Sequence, residues 1–383
     1  MRFVVLGAGL QGSACAYDLL RSDQADAVVL ADLEPDRVRP FLAVRRDDPK
    51  LELRRLDVRD EPAVRALLDG ADACMNALPY YFNLSMTRLA IEAGAHYADL
   101  GGNTEIVFQQ KELDEAAGAA GVSVIPDCGL APGMVNILAA AGVRELDAAD
   151  SIRMYVGGLP QQPEPPLGYQ IVYSLEGVLD YYTTPSWVVR DGKRLQVEAL
   201  SEVEELDFPP PVGRLEAFHT AGGLSLMPWS LEGIVRQMEY KTLRYPGHAG
   251  IIRAIRDLGL LELDPVRLNG AEVVPRDVFI ACAEPRLRKP DARDLVALRV
   301  EVAGTAAGAG TRVTYDLLDC YDADSGISAM ERTTGFSLSI TGQMQADGRI
   351  DLRGVQTPDS CVPAGEYVAE LASRGVRIRR QVS

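Results

Sequence analysis

Histidine, tryptophan and paired cysteine are scarce in this chain, and each scarcity removes a class of function. Three histidines and two tryptophans occur in 383 residues. The six cysteines lie scattered at positions 15, 74, 128, 282, 320 and 361, with no CxxC pair and no histidine at ligand spacing. Zinc sites of the usual spacings are excluded, and no metal is expected. The scatter suits reduced thiols in a cytoplasm, not a disulfide framework. Cations are in deficit too: 39 Lys and Arg against 55 Asp and Glu leave a formal net charge of -16. Nucleic acid and anionic membrane both reward clustered Lys and Arg, so neither is an expected partner. No run approaches the roughly 20 apolar residues that span a bilayer. No charged segment followed by an apolar core marks a leader, so a cytoplasmic protein is expected.

What is present is ordinary for a globular protein: 47% hydrophobic and 25% charged residues, in a chain long enough for two domains. The opening is the most legible part. Phe3-Val4-Val5-Leu6 is a short apolar run, followed by Gly7-Ala8-Gly9-Leu10-Gln11-Gly12 and a helical stretch. A second apolar run, Ala27 to Ala31, ends in Asp32. Gly7 permits the tight turn, Gly9 lets backbone approach a pyrophosphate, and Gly12 allows helix and strand to pack closely. The helix start, at Leu10 and Gln11, turns free N–H groups toward the phosphates. Asp32 accepts hydrogen bonds from the ribose hydroxyls of a dinucleotide. Glu34 adds negative charge where a 2′-phosphate would need a cation, and although Arg37 is near, NAD is expected over NADP.

Strands are expected at about 51–56, 73–76, 96–99 and 123–126, with helices at 61–69, 83–94 and 105–120 between them. This alternation predicts a Rossmann-type doubly wound parallel sheet whose ligands bind beyond the strand C-termini. Asp57 either reaches the adenine or is a solvated loop aspartate. Asn76-Ala77-Leu78-Pro79-Tyr80 is placed near the nicotinamide, and Asp99 and Cys128 on the same active edge. After about Val143 the pattern changes. Residues 157–168, rich in Gly and Pro, read as a long loop. Strands follow at about 169–173, 186–190, 194–199, 214–219, 235–243, 296–303 and 311–319, with helices at 174–182 and 247–258. An α+β substrate and dimerisation domain with a largely antiparallel sheet is expected. Helices at 328–346 and 363–374 close the chain. The expected division is 1–133, completed by 324–383, against 134–323.

Several stretches carry a resemblance: Gly7-Ala8-Gly9, His96-Tyr97-Ala98-Asp99, Asp127-Cys128-Gly129-Leu130-Ala131-Pro132-Gly133, and Lys241-Thr242-Leu243-Arg244-Tyr245-Pro246-Gly247-His248. The chain resembles the saccharopine dehydrogenase family, in the branch that contains the lysine 6-dehydrogenases. The resemblance implies a discontinuous nucleotide domain, a homodimer or higher homo-oligomer, and a small amino-acid substrate. It puts Asp99 and Cys128 beside that substrate; Tyr80 and Thr242 are further candidate substrate-binding residues. Around Gly222-Gly223-Leu224-Ser225 no arginine occurs of the kind that holds a glutamate arm in saccharopine reductases, which favours a smaller substrate.

Pro246 suits the first turn of a helix striped by Ile251, Ile252, Ile255 and Leu258. His248 then sits at an anion-favouring helix start, and Arg244 offers a planar fork. Together they suggest a dock for an α-carboxylate. Lys241 and Arg244 would point to opposite faces of an unbroken strand, so a bend before Tyr245 is required for both to serve one site. The expected reaction is NAD-dependent oxidative deamination of the lysine ε-amine. Lys241, its pKa lowered by Arg244, or Asp99 is the base, and His248 completes the catalytic set. Two alternatives stand: an NAD(P)-dependent reductase of a secondary amine such as saccharopine or a carboxylated polyamine, and a non-catalytic NAD-binding regulator. Cys128 reads as a packing or substrate-contact residue, and His96 and His219 as structural histidines.

Overall fold

The computed structural model describes residues 1–172, 174–289 and 293–383. The chain divides into two compact units, Met1–Glu145 with Ser225–Ser230 and Asp322–Ile378, and Leu146–Leu224 with Leu231–Tyr321 and Arg379–Ser383. The helix Met134–Arg144, beyond the expected boundary at 133, is part of the first unit. Among the described residues no helix is long and apolar enough to cross a membrane.

In the first unit, β1 (Arg2–Leu6), β2 (Ala27–Asp32), β3 (Leu51–Arg55), β4 (Ala73–Asn76), β5 (His96–Asp99) and β6 (Ser123–Ile125) pair in parallel in the order β3-β2-β1-β4-β5-β6. The two-residue strand Gly354–Val355 extends that sheet beyond β6. The order reverses at β1, so a crevice opens at the C-terminal ends of β1 and β4. β1 and β4 are short and buried on both faces, as covered parallel strands require. The expected helix at 105–120 is two, Thr104–Lys111 and Asp114–Ala119.

The helix Ala329–Ala346 is almost wholly buried although rich in Ser, Thr and Gln. Small residues let it approach its neighbours: a Cβ at Gly335 would lie 2.6 Å from Ala14 Cβ and 2.8 Å from Gln11 O. Its buried hydroxyls are satisfied by back-bonding, Thr333 Oγ1 donating to Ala329 O at 2.8 Å and Thr341 Oγ1 to Ser337 O at 3.0 Å. Ser339 Oγ donates to the buried Asp18 at 2.7 Å, and Asp18 is also paired with Arg374 at 2.7 Å.

The second unit is built on a nine-stranded sheet containing β7 (Ala148–Pro160), β8 (Ser186–Arg190), β9 (Lys193–Val197), β10 (Glu204–Phe208), β11 (Gly213–His219) and β12 (Gln237–Arg244). A separate hairpin joins β13 (Val266–Leu268) to β14 (Ala271–Val273). β15 (Asp294–Ala306), β16 (Ala309–Cys320) and the last strand, Ile378–Val382, complete the sheet. β12 pairs with β7 in parallel, whereas β10–β11, β11–β12, β8–β12, β8–β9, β15–β16 and β15–β7 pair antiparallel. The stretch Gly157–Pro160, expected as loop, is the end of the central strand β7. Its glycine marks a close backbone approach: a Cβ at Gly157 would sit 2.6 Å from Leu243 O. The strand expected at 169–173 runs into residue 173, outside the described residues, and residues 169–172 form no strand. The helix Pro275–Leu287, with Pro285 inside it, is an element that the sequence reading did not include.

Gly335→Ala should therefore destabilise the protein by about 1–3 kcal/mol, since overpacking outweighs the gain in helix propensity. Gly365→Ala, where nothing lies within 4 Å of the added methyl, should be neutral or stabilising. Denaturant midpoints of the two variants compare them directly.

Candidate functional site

The turn after β1 meets each steric demand of a dinucleotide site. Gly7 has φ +94, and its N–H donates to Ala31 O at 2.8 Å. A Cβ at Gly12 would fall 1.7 Å from Gly7 O, so glycine is required there. Gly9 is the opposite case: nothing lies within 4 Å of its missing Cβ, which leaves a cradle at the start of the helix Leu10–Leu19. Both polar atoms of the Gln11 side chain are buried without a partner. Open backbone and an orphaned amide on one turn fit a bound pyrophosphate-containing cofactor, held by Gly9, Leu10 and Gln11. Asp32 ends β2, its Oδ2 accepting from Ala8 N at 2.7 Å and its Oδ1 from Glu34 N at 2.9 Å. Arg37 is paired with Glu34 at 2.6 Å, and Arg39 with the buried Glu331 at 2.8 Å.

The loop after β4 lies against this turn, Ala77 O coming 3.0 Å from a Cβ at Gly7. Asn76 shapes the loop from below. Its Nδ2 donates to Asn83 Oδ1 at 2.9 Å and Tyr97 Oη at 2.8 Å, while its Oδ1 accepts from Leu78 N at 3.1 Å. The amide is thus committed internally, and Ala77, Leu78, Pro79 and the turn Tyr80–Phe82 carry the exposed edge. Asp57 grips Arg59 at 2.6 Å, and that guanidinium holds its carboxyl down at about 2. The solvated-loop alternative describes it.

Two buried carboxylates meet at or just beyond the ends of β5 and β6. Asp99 is fully buried; Oδ1 accepts from Gly101 N at 2.7 Å and Oδ2 from Gln110 Nε2 at 2.7 Å. Burial pushes its carboxyl up to about 6. Asp127, also buried, has φ +63, and burial pushes it up to about 7, with the charge of Asp99 adding to the rise. Ser225 Oγ donates to Asp127 Oδ2. Neither Asp127 nor Ser225 was singled out for a role in the sequence, because their meeting spans 98 positions. Cys128 N supports Asp99 O at 2.7 Å, while its thiol points at Ile125 O, 3.0 Å away, and is pushed up by burial. That is a packing residue and not a nucleophile.

In the second unit β12 is unbroken from Gln237 to Arg244, and the bend that would unite Lys241 with Arg244 is absent. Alternation puts the two on opposite faces. Lys241 pairs with Glu204 at 2.8 Å and donates to Glu202 O at 2.8 Å. On the same face Glu202, His219 and Glu239 come close enough to hold a cation. Arg190 already bridges both carboxylates there, at 3.0 and 2.6 Å. Lys241 is therefore part of an ion-pair network, not a base tuned by Arg244.

The other face carries Arg244, Thr242 and an aromatic shell. Arg244 Nε donates to Tyr182 Oη at 3.2 Å, and the guanidinium lies over the Tyr169 ring at 4.8 Å. Thr242 Oγ1 meets Thr220 Oγ1 at 2.7 Å. His248 Nδ1 lies 3.1 Å from Leu167 O and its Nε2 3.0 Å from Tyr182 Oη. A carbonyl only accepts, so Nδ1 carries the proton and Tyr182 donates to Nε2. Burial, with Arg244 assisting, brings His248 down to about 3. It is a neutral link in a hydrogen-bond chain and no acid or base near pH 7. The helix start at His248 is also filled: Glu216 Oε2 accepts from Gly247 N at 2.9 Å and its Oε1 from Ala249 N at 2.5 Å. The protein's own carboxylate takes the place expected for the substrate's. Glu216 pairs with Arg244 across β11 and β12, a neighbour invisible in the sequence.

A family model for the saccharopine dehydrogenase NADP binding domain matches residues 3–125, and one for the saccharopine dehydrogenase C-terminal domain matches residues 129–376. The chain belongs to the saccharopine dehydrogenase family. It is an NAD(P)-dependent oxidoreductase. Saccharopine dehydrogenase [NADP(+), L-glutamate-forming] of Schizosaccharomyces pombe is 23% identical over 85% of this chain and 88% of its own. The mitochondrial alpha-aminoadipic semialdehyde synthase of Mus musculus is 23% identical over 84% of this chain but only 42% of its own. Apo saccharopine dehydrogenase (L-Glu forming) from Saccharomyces cerevisiae superposes with a TM-score of 0.81 at 21% identity, covering 100% of this chain and 99% of the other. A homospermidine synthase from Legionella pneumophila, solved with NAD, gives 0.71 at 12% identity, covering 100% and 91%. These likenesses confirm the fold.

His248 makes a testable contribution to acid lability. Its folded pKa, about 3, lies below the unfolded value of roughly 6.5. Stability is therefore present above the unfolded value and lost as pH falls between the two, because the unfolded chain takes up the proton first. His248→Gln removes that slope. Its destabilising effect should be smaller at pH 5 than at pH 7 by roughly 2 kcal/mol, read from denaturant midpoints at the two pH values.

Proposed function

We propose that this enzyme oxidises the ε-amine of L-lysine with NAD, releasing ammonia and the 6-semialdehyde, which cyclises to piperideine carboxylate. The observation that carries the reading is Asp99, a buried carboxyl raised to about 6 at the C-terminal end of β5. A substrate ammonium must lose a proton before hydride can leave its carbon, and a carboxylate of this basicity accepts it near neutral pH. The bound nicotinamide supplies the two-electron acceptor. Water then adds to the resulting iminium carbon, its two protons pass to the nitrogen as the C–N bond breaks and ammonium departs, and the proton held on the protein is released to solvent. Arg244, steadied by Tyr182 and Tyr169, is proposed as a carboxylate-recognising group. Assembly into a homodimer or larger homo-oligomer belongs to the same reading.

NAD is the proposed cofactor although the matching family model is described as NADP binding. Asp32 ends β2, and both nearby arginines are already bound to carboxylates, Arg37 to Glu34 and Arg39 to Glu331. A 2′-phosphate would meet acidic groups with no uncommitted cation from these two. The second reading, oxidation of a secondary amine of the saccharopine type, is favoured by the activity for which the Schizosaccharomyces pombe relative is named.

One panel separates these readings. Lysine, saccharopine and cadaverine are each offered with NAD and with NADP; nicotinamide absorbance, ammonia and glutamate are measured. The expected result is turnover of lysine with NAD, ammonia release, and weak activity on cadaverine. Saccharopine turnover with glutamate release and none with lysine would establish the second reading. Cofactor binding without turnover of any amine would leave a non-catalytic sensor.

Arg244→Lys keeps the charge but loses the planar fork. It should raise KM for lysine roughly ten- to a hundredfold, with KM for NAD little changed and preference over cadaverine largely lost.

A further inference from the structure

Asp99 and Asp127 stand over one two-glycine turn. Gly101 N donates to Asp99 Oδ1 at 2.7 Å, and Gly102 N to Asp127 Oδ1 at 3.3 Å. A Cβ at Gly101, whose φ is +65, would lie 1.6 Å from Asp127 Oδ1, so only glycine lets the second carboxylate settle there. The main chain links them again, Asp127 N donating to Asp99 Oδ1 at 3.3 Å. Among the described residues neither carboxylate makes an ion pair, and both are buried, at 0% and 2% exposure. Two buried carboxylates joined through one turn, with no cation beside them, make ionising both unfavourable, and the charge of Asp99 adds to the rise of Asp127.

The surroundings reinforce that. From the helix Thr104–Lys111, Gln110 Nε2 donates to Asp99 Oδ2. Tyr97 on β5 is held protonated by burial, with the charge of Asp99 adding to the rise of its phenol. The helix Pro358–Cys361 brings Asp359, a further negative charge, toward Asp127. Cys128 and Cys361 are thiols held protonated by burial. Arg144 and Lys111 act on Asp359. The remaining contact is Ser225, which belongs to the first unit although its sequence neighbours on the N-terminal side do not. Ser225 has φ +51 and Asp127 φ +63, so both partners of this hydrogen bond occupy the left-handed region that side chains seldom adopt. Such strain persists only where the surrounding structure holds it.

We propose that Asp99 and Asp127 act as one unit that holds a single proton, with Ser225 the positioning residue that keeps Asp127 within it. This deepens the proposed amine oxidation and rests on it for the identity of the proton donor. The N–H bond of the substrate ammonium breaks, an O–H bond forms on Asp99, and Asp127 shares that proton. Water's two protons convert the iminium nitrogen to ammonium as the C–N bond breaks, and the O–H bond on the pair then breaks, releasing its proton to solvent. The pair thus starts and ends each turnover in the same protonation state, with no co-reactant beyond substrate, water and the nicotinamide. Asp127 acts through Asp99.

The test is carboxyl titration of the full-length enzyme by 13C NMR with labelled aspartate, alongside kinetics on whichever amine it turns over. Asp127→Asn should move the Asp99 transition acidward by about one unit or more, the mark of coupled sites. It should lower kcat roughly a hundredfold and leave KM for NAD unchanged. Ser225→Ala should move the Asp127 transition alkaline, because a donor to the ionised form is lost, and Ser225→Thr should restore it. If Asp127→Asn does not fold, the Ser225→Ala titration decides. An Asp99 transition that stays in place in Asp127→Asn, or an Asp127 transition unmoved by Ser225→Ala, overturns the proposal. Coupled titration without lysine turnover would sink the lysine reading and leave the proton-sharing unit standing.

Discussion

A Cβ at Gly12 would fall 1.7 Å from Gly7 O, and one at Gly335 2.8 Å from Gln11 O. The helix Leu10–Leu19 is therefore gripped between its own entry turn and the buried helix Ala329–Ala346. This backbone contact sets the direction of the helix start, and with it the open cradle at Gly9. The same tight packing fixes the neighbouring loop, since Ala77 O rests against Gly7. A site whose ligand contacts are made by backbone N–H groups depends on backbone placement more than on side-chain identity. The C-terminal third of the chain thus contributes to a nucleotide site whose recognisable motif lies in the first twelve residues.

Charge in this protein is spent inward. The chain carries a net -16, yet several cations that could recognise a ligand are bound to carboxylates of the protein: Arg37, Arg39, Arg190 and Lys241. Around Asp99 and Asp127 the pattern inverts, with two buried carboxylates satisfied by backbone N–H groups, an amide and a hydroxyl. Amine chemistry calls for that inversion. A carboxylate already neutralised by arginine is too weak a base to accept an ammonium proton, whereas one raised by burial can. Arg244 follows a third pattern, set among aromatic rings and a phenol that steady its guanidinium.

How much was legible in the sequence depended on the range of the interaction. The strand, glycine turn and helix at residues 2–19 are sterically local: each glycine's role follows from neighbours a few positions away, and the structure confirms the elements. The parallel sheet also followed from alternation of short apolar runs with helical stretches. The Gly157–Pro160 stretch misled because glycine reads as loop when its reason is a strand packed on its missing Cβ. Lys241, Arg244 and His248 misled in a different way. Proximity in sequence suggested one site, but an eight-residue strand alternates its faces, and the anion expected at the helix start came from Glu216, thirty-odd positions away.

The sequence by itself determined the dinucleotide-binding turn, the parallel sheet and the family, because backbone sterics and periodic burial are written locally. Only the tertiary structure decided that Lys241 and Arg244 lie on opposite faces, that His248 is a neutral hydrogen-bond link, and that Asp127 meets Asp99 and Ser225. Those outcomes turn on desolvation and on partners drawn from distant parts of the chain. A carboxyl's basicity is set by what surrounds it after folding, and no spacing of residues along the chain specifies that environment.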